Sequence, residues 1–84
     1  MGEEAAIMDR PIREIAADIE GSWDKVNYAA RPYLDAMHEL WSPDDHFGLD
    51  SGRSVIAYFL ANAGGWRGET ARAIKKELNQ MIGR

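Results

Sequence analysis

The sequence predicts an all-α fold, a compact bundle of about four helices around a central, uncharged third helix. Three observations carry this. Apolar residues recur at helical spacing in four successive segments, no segment alternates like a strand between hairpin turns, and one segment, Ser54 to Trp66, contains no charged residue. A helix without a charged face is usually buried on both sides, so the third segment is the expected axis of the fold.

The first element is read in RPIREIAADIEGSW, where Ile12, Ile15, Ala16, Ile19 and Trp23 fall on one face. Pro11 suits a first turn, where its missing N–H costs little, and Asp9 is the expected cap. Gly21 and Ser22 mark the end of this helix. The second segment, NYAARPYLDAMHELW, aligns Ala30, Tyr33, Leu34, Met37, Leu40 and Trp41 on one side. Pro32 has no N–H for the carbonyl four residues earlier, so regular helix is expected only from Pro32 onward. SPDDHFGLD, Ser42 to Asp50, is a connector in which Gly48 can end a turn and Asp50 can cap the next helix.

In the third helix Val55, Ile56, Phe59, Leu60 and Ala63 occupy one side, and Ser54, Ala57, Tyr58 and Ala61 the other. Ala57 and Ala61, one turn apart beside Tyr58, would let another helix approach closely. The fourth segment, WRGETARAIKKELNQMIGR, sets an apolar arc of Trp66, Thr70, Ile74, Leu78 and Met81 against Arg72, Lys75, Lys76 and Asn79, the pattern of an amphipathic surface helix.

With 84 residues the chain has room for one domain, expected over residues 9–84, with residues 1–8 disordered. Its apolar fraction of 45% and its eight aromatics are those of a folded chain. The absence of cysteine excludes disulfides, thiolate nucleophiles and Cys-ligated metal centres. No apolar run approaches the roughly 20 residues of a membrane span, and the acidic start MGEEAAIMDR is unlike a secretory leader, so a cytoplasmic protein without a membrane partner is expected. The net charge of −4 hides a polarity: residues 1–50 carry 4 Lys/Arg and 12 Asp/Glu (4 − 12 = −8), residues 51–84 carry 6 and 2 (6 − 2 = +4). Either the halves neutralise each other within one fold, or a partner, such as a second copy of the chain, is drawn to one of them.

The richest stretch for chemistry is NAGGWRGET, Asn62 to Thr70. As a phosphate loop it fails on spacing, because Gly64, Gly65 and Gly68 follow a helix and form no G-x-G-x-x-G, although Arg67 near a helix start can attract an anion. As part of a helix-turn-helix-like element over residues 54–78 it offers Arg67, Arg72, Lys75 and Lys76 to nucleic acid, on a chain that is acidic overall. As a corner between helices it needs least: Gly64 or Gly65 turns left-handed, and Trp66 folds back over the junction. Arg67 would then project from the apolar arc of the fourth helix and either lie beyond the core's end or pair with a carboxylate or helix C-terminal carbonyls, the expected partner being Asp50 or Asp35 in a structural ion pair.

Asp35 with His38, and Asp44, Asp45, His46 and Asp50 in the connector, are the candidate metal or acid–base groups. Neither H-E-x-x-H nor an EF-hand loop is present, so a solvated acidic surface is the expectation, with no metal and no cofactor. The serines at 22, 42, 51 and 54 lie in no nucleophile elbow. At their helical spacings Trp23, Trp41, Tyr28, Tyr33, Tyr58 and Trp66 are expected in the core rather than around a ligand.

PYLDAM (Pro32 to Met37), DSGRSVIAYFLANA (Asp50 to Ala63) and WRGETARAIKKEL (Trp66 to Leu78) resemble a group of short, uncharacterised bacterial proteins found on phages and mobile elements, over residues 12 to about 82. The resemblance implies one compact domain and an accessory or regulatory protein; it brings no activity and no functional residue. The function expected is a non-catalytic protein–protein interaction module, forming a homodimer or binding another protein through Ala57, Tyr58, Ala61 and Trp66. The alternative is a nucleic-acid-binding regulator using the cations of residues 54–78.

Overall fold

The computed structural model describes residues 10–83, so the expected cap at Asp9 and the expected disorder of residues 1–8 lie outside the described residues. The described chain is mostly helical. It runs α1 (Ile12–Ser22), α2 (Arg31–Met37), β1 (His46–Phe47), β2 (Asp50–Ser51), α3 (Gly52–Ala61) and α4 (Glu69–Met81). No described helix is long and apolar enough to cross a membrane.

The inward face of α1 is the predicted one: Ile12, Ile15, Ala16 and Ile19 have no exposed surface, and Trp23 is buried just past its end. Two of the amides that a helix start leaves without partners are satisfied from another element. Ile12 N–H donates to the Trp41 carbonyl at 2.9 Å and Arg13 N–H to the Leu40 carbonyl at 3.0 Å, which fixes the start of α1 against the end of α2. The Arg10 guanidinium bonds both carboxylate oxygens of Glu77 on α4, at 2.9 and 3.1 Å, and also Asp18. Thus α1 is tied to both of its neighbours before any apolar contact is counted.

Pro32 lies in the first turn of α2, where a proline is tolerated. The helix stops at Met37, with Leu40 N–H closing onto the Met37 carbonyl at 3.2 Å. Leu34, Met37 and Leu40 are buried as predicted, but the change of direction after Met37 carries Trp41 outward. Its ring is 55% exposed, with the Arg13 guanidinium 4.2 Å above it, so Trp41 is not on the inner face.

The connector contains a ribbon that the sequence did not suggest. His46 faces Ser51 and Phe47 faces Asp50 across a two-residue turn, in which Gly48 has φ 64° and Leu49 a negative φ, the pattern of a type II′ turn. Asp50 is therefore a strand residue. The cap of α3 is Ser51, whose Oγ accepts from Ser54 N–H at 3.1 Å. Gly52 then presses onto the connector: its N–H donates to the Asp45 carbonyl at 2.7 Å, and a Cβ there would lie 2.7 Å from the Ser42 carbonyl oxygen.

Helix α3 buries Gly52, Val55, Ile56 and Phe59 against α2 and α4. These neighbours cover one side only. Tyr58 is 51% exposed, Ala61 is exposed, and Ser54 and Ala57 are half-buried, so α3 is not buried on both faces as its composition predicted. Helix α4 begins three residues later than its apolar arc suggested, and the inward line becomes Ala71, Ile74 and Leu78; Thr70 is exposed. Trp66 reaches the core from the connector, stacked on Trp23 at 5.7 Å and edge-on to Phe59 at 6.4 Å. Trp23 meets Phe59 edge-on as well, at 6.1 Å, so three rings close the end of the core where α1, α3 and the corner meet.

Candidate functional site

Two surfaces gather the residues singled out in the sequence. The first is the open side of α3. Ala57, Tyr58 and Ala61 lie on it, whereas Trp66, expected with them, is only 4% exposed and belongs to the core. The half-buried Tyr33 of α2 takes its place: its ring centroid is 5.4 Å from that of Tyr58, at 32°. Tyr33 was legible only as one more apolar position of the second helix.

The C-terminal end of α3 is held by side chains. Asn62 Nδ2 donates to the Tyr58 carbonyl at 2.9 Å, and Asn27 Nδ2 donates to the Asn62 carbonyl at 3.1 Å. Asn27 thereby anchors the loop that carries Tyr28, which is 88% exposed. At the other end of α3, the hairpin tip presents Phe47 and a fully exposed Leu49. Of the aromatics expected inside, Trp23 and Trp66 are there; Tyr28, Trp41 and Tyr58 are not.

The second surface is the corner between α3 and α4. Trp66 N–H donates to the Ala63 carbonyl at 3.0 Å, closing a turn around Gly64 and Gly65. Neither glycine has a positive φ, contrary to expectation. That role falls to Gly68, with φ 107° and ψ −179°, immediately before α4. The connector spans 62–68, about twice the three or four residues of a helix-turn-helix turn.

Arg67 is exposed in that connector and forms no ion pair with Asp50 or Asp35, since Asp35 is bonded by Arg31 at 2.7 Å and Asp50 sits in β2. The later start of α4 explains the difference: Arg67 never enters the apolar arc, so it needs no buried partner. Lys75 is the more constrained cation. Its Nζ donates to the Trp66 carbonyl at 2.6 Å and lies 5.9 Å from the Trp66 ring centroid. Burial, and secondarily the charge of Arg67, push its pKa below the ordinary lysine value. Arg67, Arg72 and Lys75 line one depression of about 250 Å³ with Gly64, Trp66, Gly68 and Ala71; Lys76 is exposed outside it.

The acidic candidates are dispersed among structural contacts. Glu20 accepts from Arg31, which holds its carboxyl below the ordinary carboxylate range, and His38 Nε2 lies 3.1 Å from the same group. Asp45 Oδ2 accepts from the N–H groups of Trp41 and Ser42 at 2.8 and 3.2 Å, and Asp44 faces Arg53 at 3.5 Å. His46 is an exposed ribbon residue. Among the described residues, no three His, Asp or Glu side chains converge as a metal would require.

The charge polarity is resolved unevenly. Arg10, Arg31 and His38 meet carboxylates of α1, α2 and α4, whereas among the described residues Arg67, Arg72, Lys75 and Lys76 form no ion pair. No family model, curated protein or solved structure matches this chain.

Proposed function

We propose that this protein is a small, non-catalytic accessory or regulatory module of the cytoplasm that pairs with a second copy of itself through the open side of α3. The observation that supports this is the uncharged strip of Ala57, Tyr58 and Ala61, widened by Tyr33, on a helix whose opposite side is core. An isologous contact needs one patch that can face itself, and two alanines a turn apart leave room for a twofold helix crossing. In such a pair α3 would be covered on both sides and become the central helix of the assembly. Tyrosines at its margin suit an interface, with apolar rings and hydroxyls that can stay wet.

Sedimentation at tens of micromolar tests the reading. The wild type is expected to run as a dimer with a melting temperature that rises with concentration, and Tyr58→Glu as a folded monomer of unchanged helical content whose melting temperature does not. A wild-type monomer defeats it.

A second reading is favoured by the cations of the corner, which form no ion pair among the described residues: a nucleic-acid-binding regulator using Arg67, Arg72, Lys75 and Lys76. Its signature is a duplex mobility shift that weakens steeply with salt and disappears when Arg72, Lys75 and Lys76 become Glu. No shift at low salt removes this second reading.

A further inference from the structure

We infer that the depression at the α3–α4 corner is a binding site for a single phosphate group, inorganic or terminal on a small ligand, held by Arg67, Arg72 and Lys75. All three ionisable side chains around the depression are cationic, no carboxylate contributes to its wall, and the neighbouring Glu69 is exposed outside it. Elsewhere among the described residues the guanidinium groups of Arg10, Arg31 and Arg53 each find a carboxylate, and that of Arg13 lies over the Trp41 ring. Arg67 and Arg72 find none among the described residues.

Shape points the same way. A volume of about 250 Å³ is below the roughly 300–1,000 Å³ of sites that enclose drug-sized ligands, so the wall fits one tetrahedral anion with little attached to it. Gly64 and Gly68 border it on open space, where a Cβ would meet nothing within 4 Å, and with no side chain their backbone can approach an anion closely. Lys75 is pre-placed by its bond to the Trp66 carbonyl, which limits the side-chain ordering that binding would otherwise require. Two of its three ammonium protons remain for a ligand.

The electrostatics of the depression are unfavourable in a way that an anion would relieve. Lys75 is disfavoured as a cation by burial and by Arg67, and a dianion between the two reverses the sign of that second effect. Two guanidinium forks and an ammonium are also the donor set that recognises phosphate best, by paired N–H donors and by charge.

The test replaces sodium chloride with sodium phosphate at constant ionic strength and follows the amide and indole resonances of the full chain. Saturable shifts are expected at Trp66, Gly68 and Glu69, with a dissociation constant on the order of 1 mM. Arg72→Glu should weaken binding at least about tenfold, whereas Lys76→Glu, outside the depression, should change it by less than about twofold. Both side chains are exposed, so both variants are expected to fold, as their unperturbed core resonances would verify. Methyl phosphate as a second titrant separates the sources: equal affinity assigns the phosphate group alone, and tighter binding assigns a phosphorylated small ligand. Shifts that stay linear with concentration, survive Arg72→Glu, or fall equally with Lys76→Glu overturn the site. So does binding confined to duplex DNA.

Discussion

The two joints on either side of α3 are built in opposite ways. Both are short connectors between helices that carry glycine, one in residues 42–50 and three in residues 62–68. The joint before α3 is held by backbone: Gly52 N–H on the Asp45 carbonyl, Arg53 N–H on the Pro43 carbonyl, and the Asp45 carboxylate under two further amides. The joint after α3 is held by a ring. Its backbone turns, Ala63 N–H on the Leu60 carbonyl and Trp66 N–H on the Ala63 carbonyl, are local to it, Asn27 ties its start to the loop before α2, and the stack of Trp66 on Trp23 and its edge contact with Phe59 dock it on the core. A joint made of backbone contacts tolerates side-chain change except where atoms must touch, whereas a joint made of one ring depends on that ring.

The contrast is broken most directly at Trp66. Trp66→Ala empties the ring-held joint and is expected to cost about 3–5 kcal/mol, enough to unfold most of a domain this size, as urea denaturation would show. Gly52→Ala is the matching lesion in the backbone-held joint. The added methyl would meet the Ser42 carbonyl at 2.7 Å and the Pro43 Cα at 3.0 Å, both main-chain atoms, so a loss of about 1–3 kcal/mol is expected despite the better helix propensity of alanine. A neutral Gly52→Ala in thermal melts would mean that the connector yields and the joint is not locked.

Gly68→Ala sharpens the comparison. Its backbone lies in a region open almost only to glycine, and the substitution is expected to cost roughly 1–3 kcal/mol through strain alone, with no clash. Asp45→Ala removes the acceptor for two amides and should cost about 1 kcal/mol, read from chemical denaturation with an unchanged m-value. Gly64→Ala and Gly65→Ala come last. With negative φ and open space at both, each is expected to be neutral or to stabilise by up to about 1 kcal/mol, because alanine restricts the unfolded chain. A large loss at either would show that the corner needs a glycine where none is required by its geometry.

These glycines also mark where sequence reasoning reached and where it stopped. Periodicity was sufficient for the inward faces of α1 and α2, because Ile12, Ile15, Ile19, Leu34 and Met37 repeat at the helical interval and nothing competes with them. It overran at α4, where Trp66 has the right phase for the helical arc but reaches the core from a connector. Phase alone does not say which residues are helical. Composition identified glycine as the turn-maker in NAGGWRGET, yet only φ distinguishes Gly68 from Gly64 and Gly65, and φ is not written in local composition. The close approach at Gly52 left no trace in local sequence, since it depends on Ser42 and Pro43 arriving from another turn. Of the candidate surfaces, the cations of the corner were legible as residues but not as one depression. Tyr58 was legible as lying opposite the core, although its exposure depended on how many neighbours α3 would have.

The stack of Trp23 on Trp66 also has a consequence for the order of events as the chain leaves the ribosome. The first helix ends in a ring whose partner is synthesised two helices later, and its guanidinium at Arg10 waits for Glu77, 67 residues downstream. A nascent chain that has released α1 and α2 therefore holds half a core with nothing to close it. Sequence-distant contacts of this kind slow folding relative to local ones and delay it until nearly all of the chain is available. The apolar face of α1 is exposed throughout that interval, so its safety during synthesis depends on how soon the last helix follows.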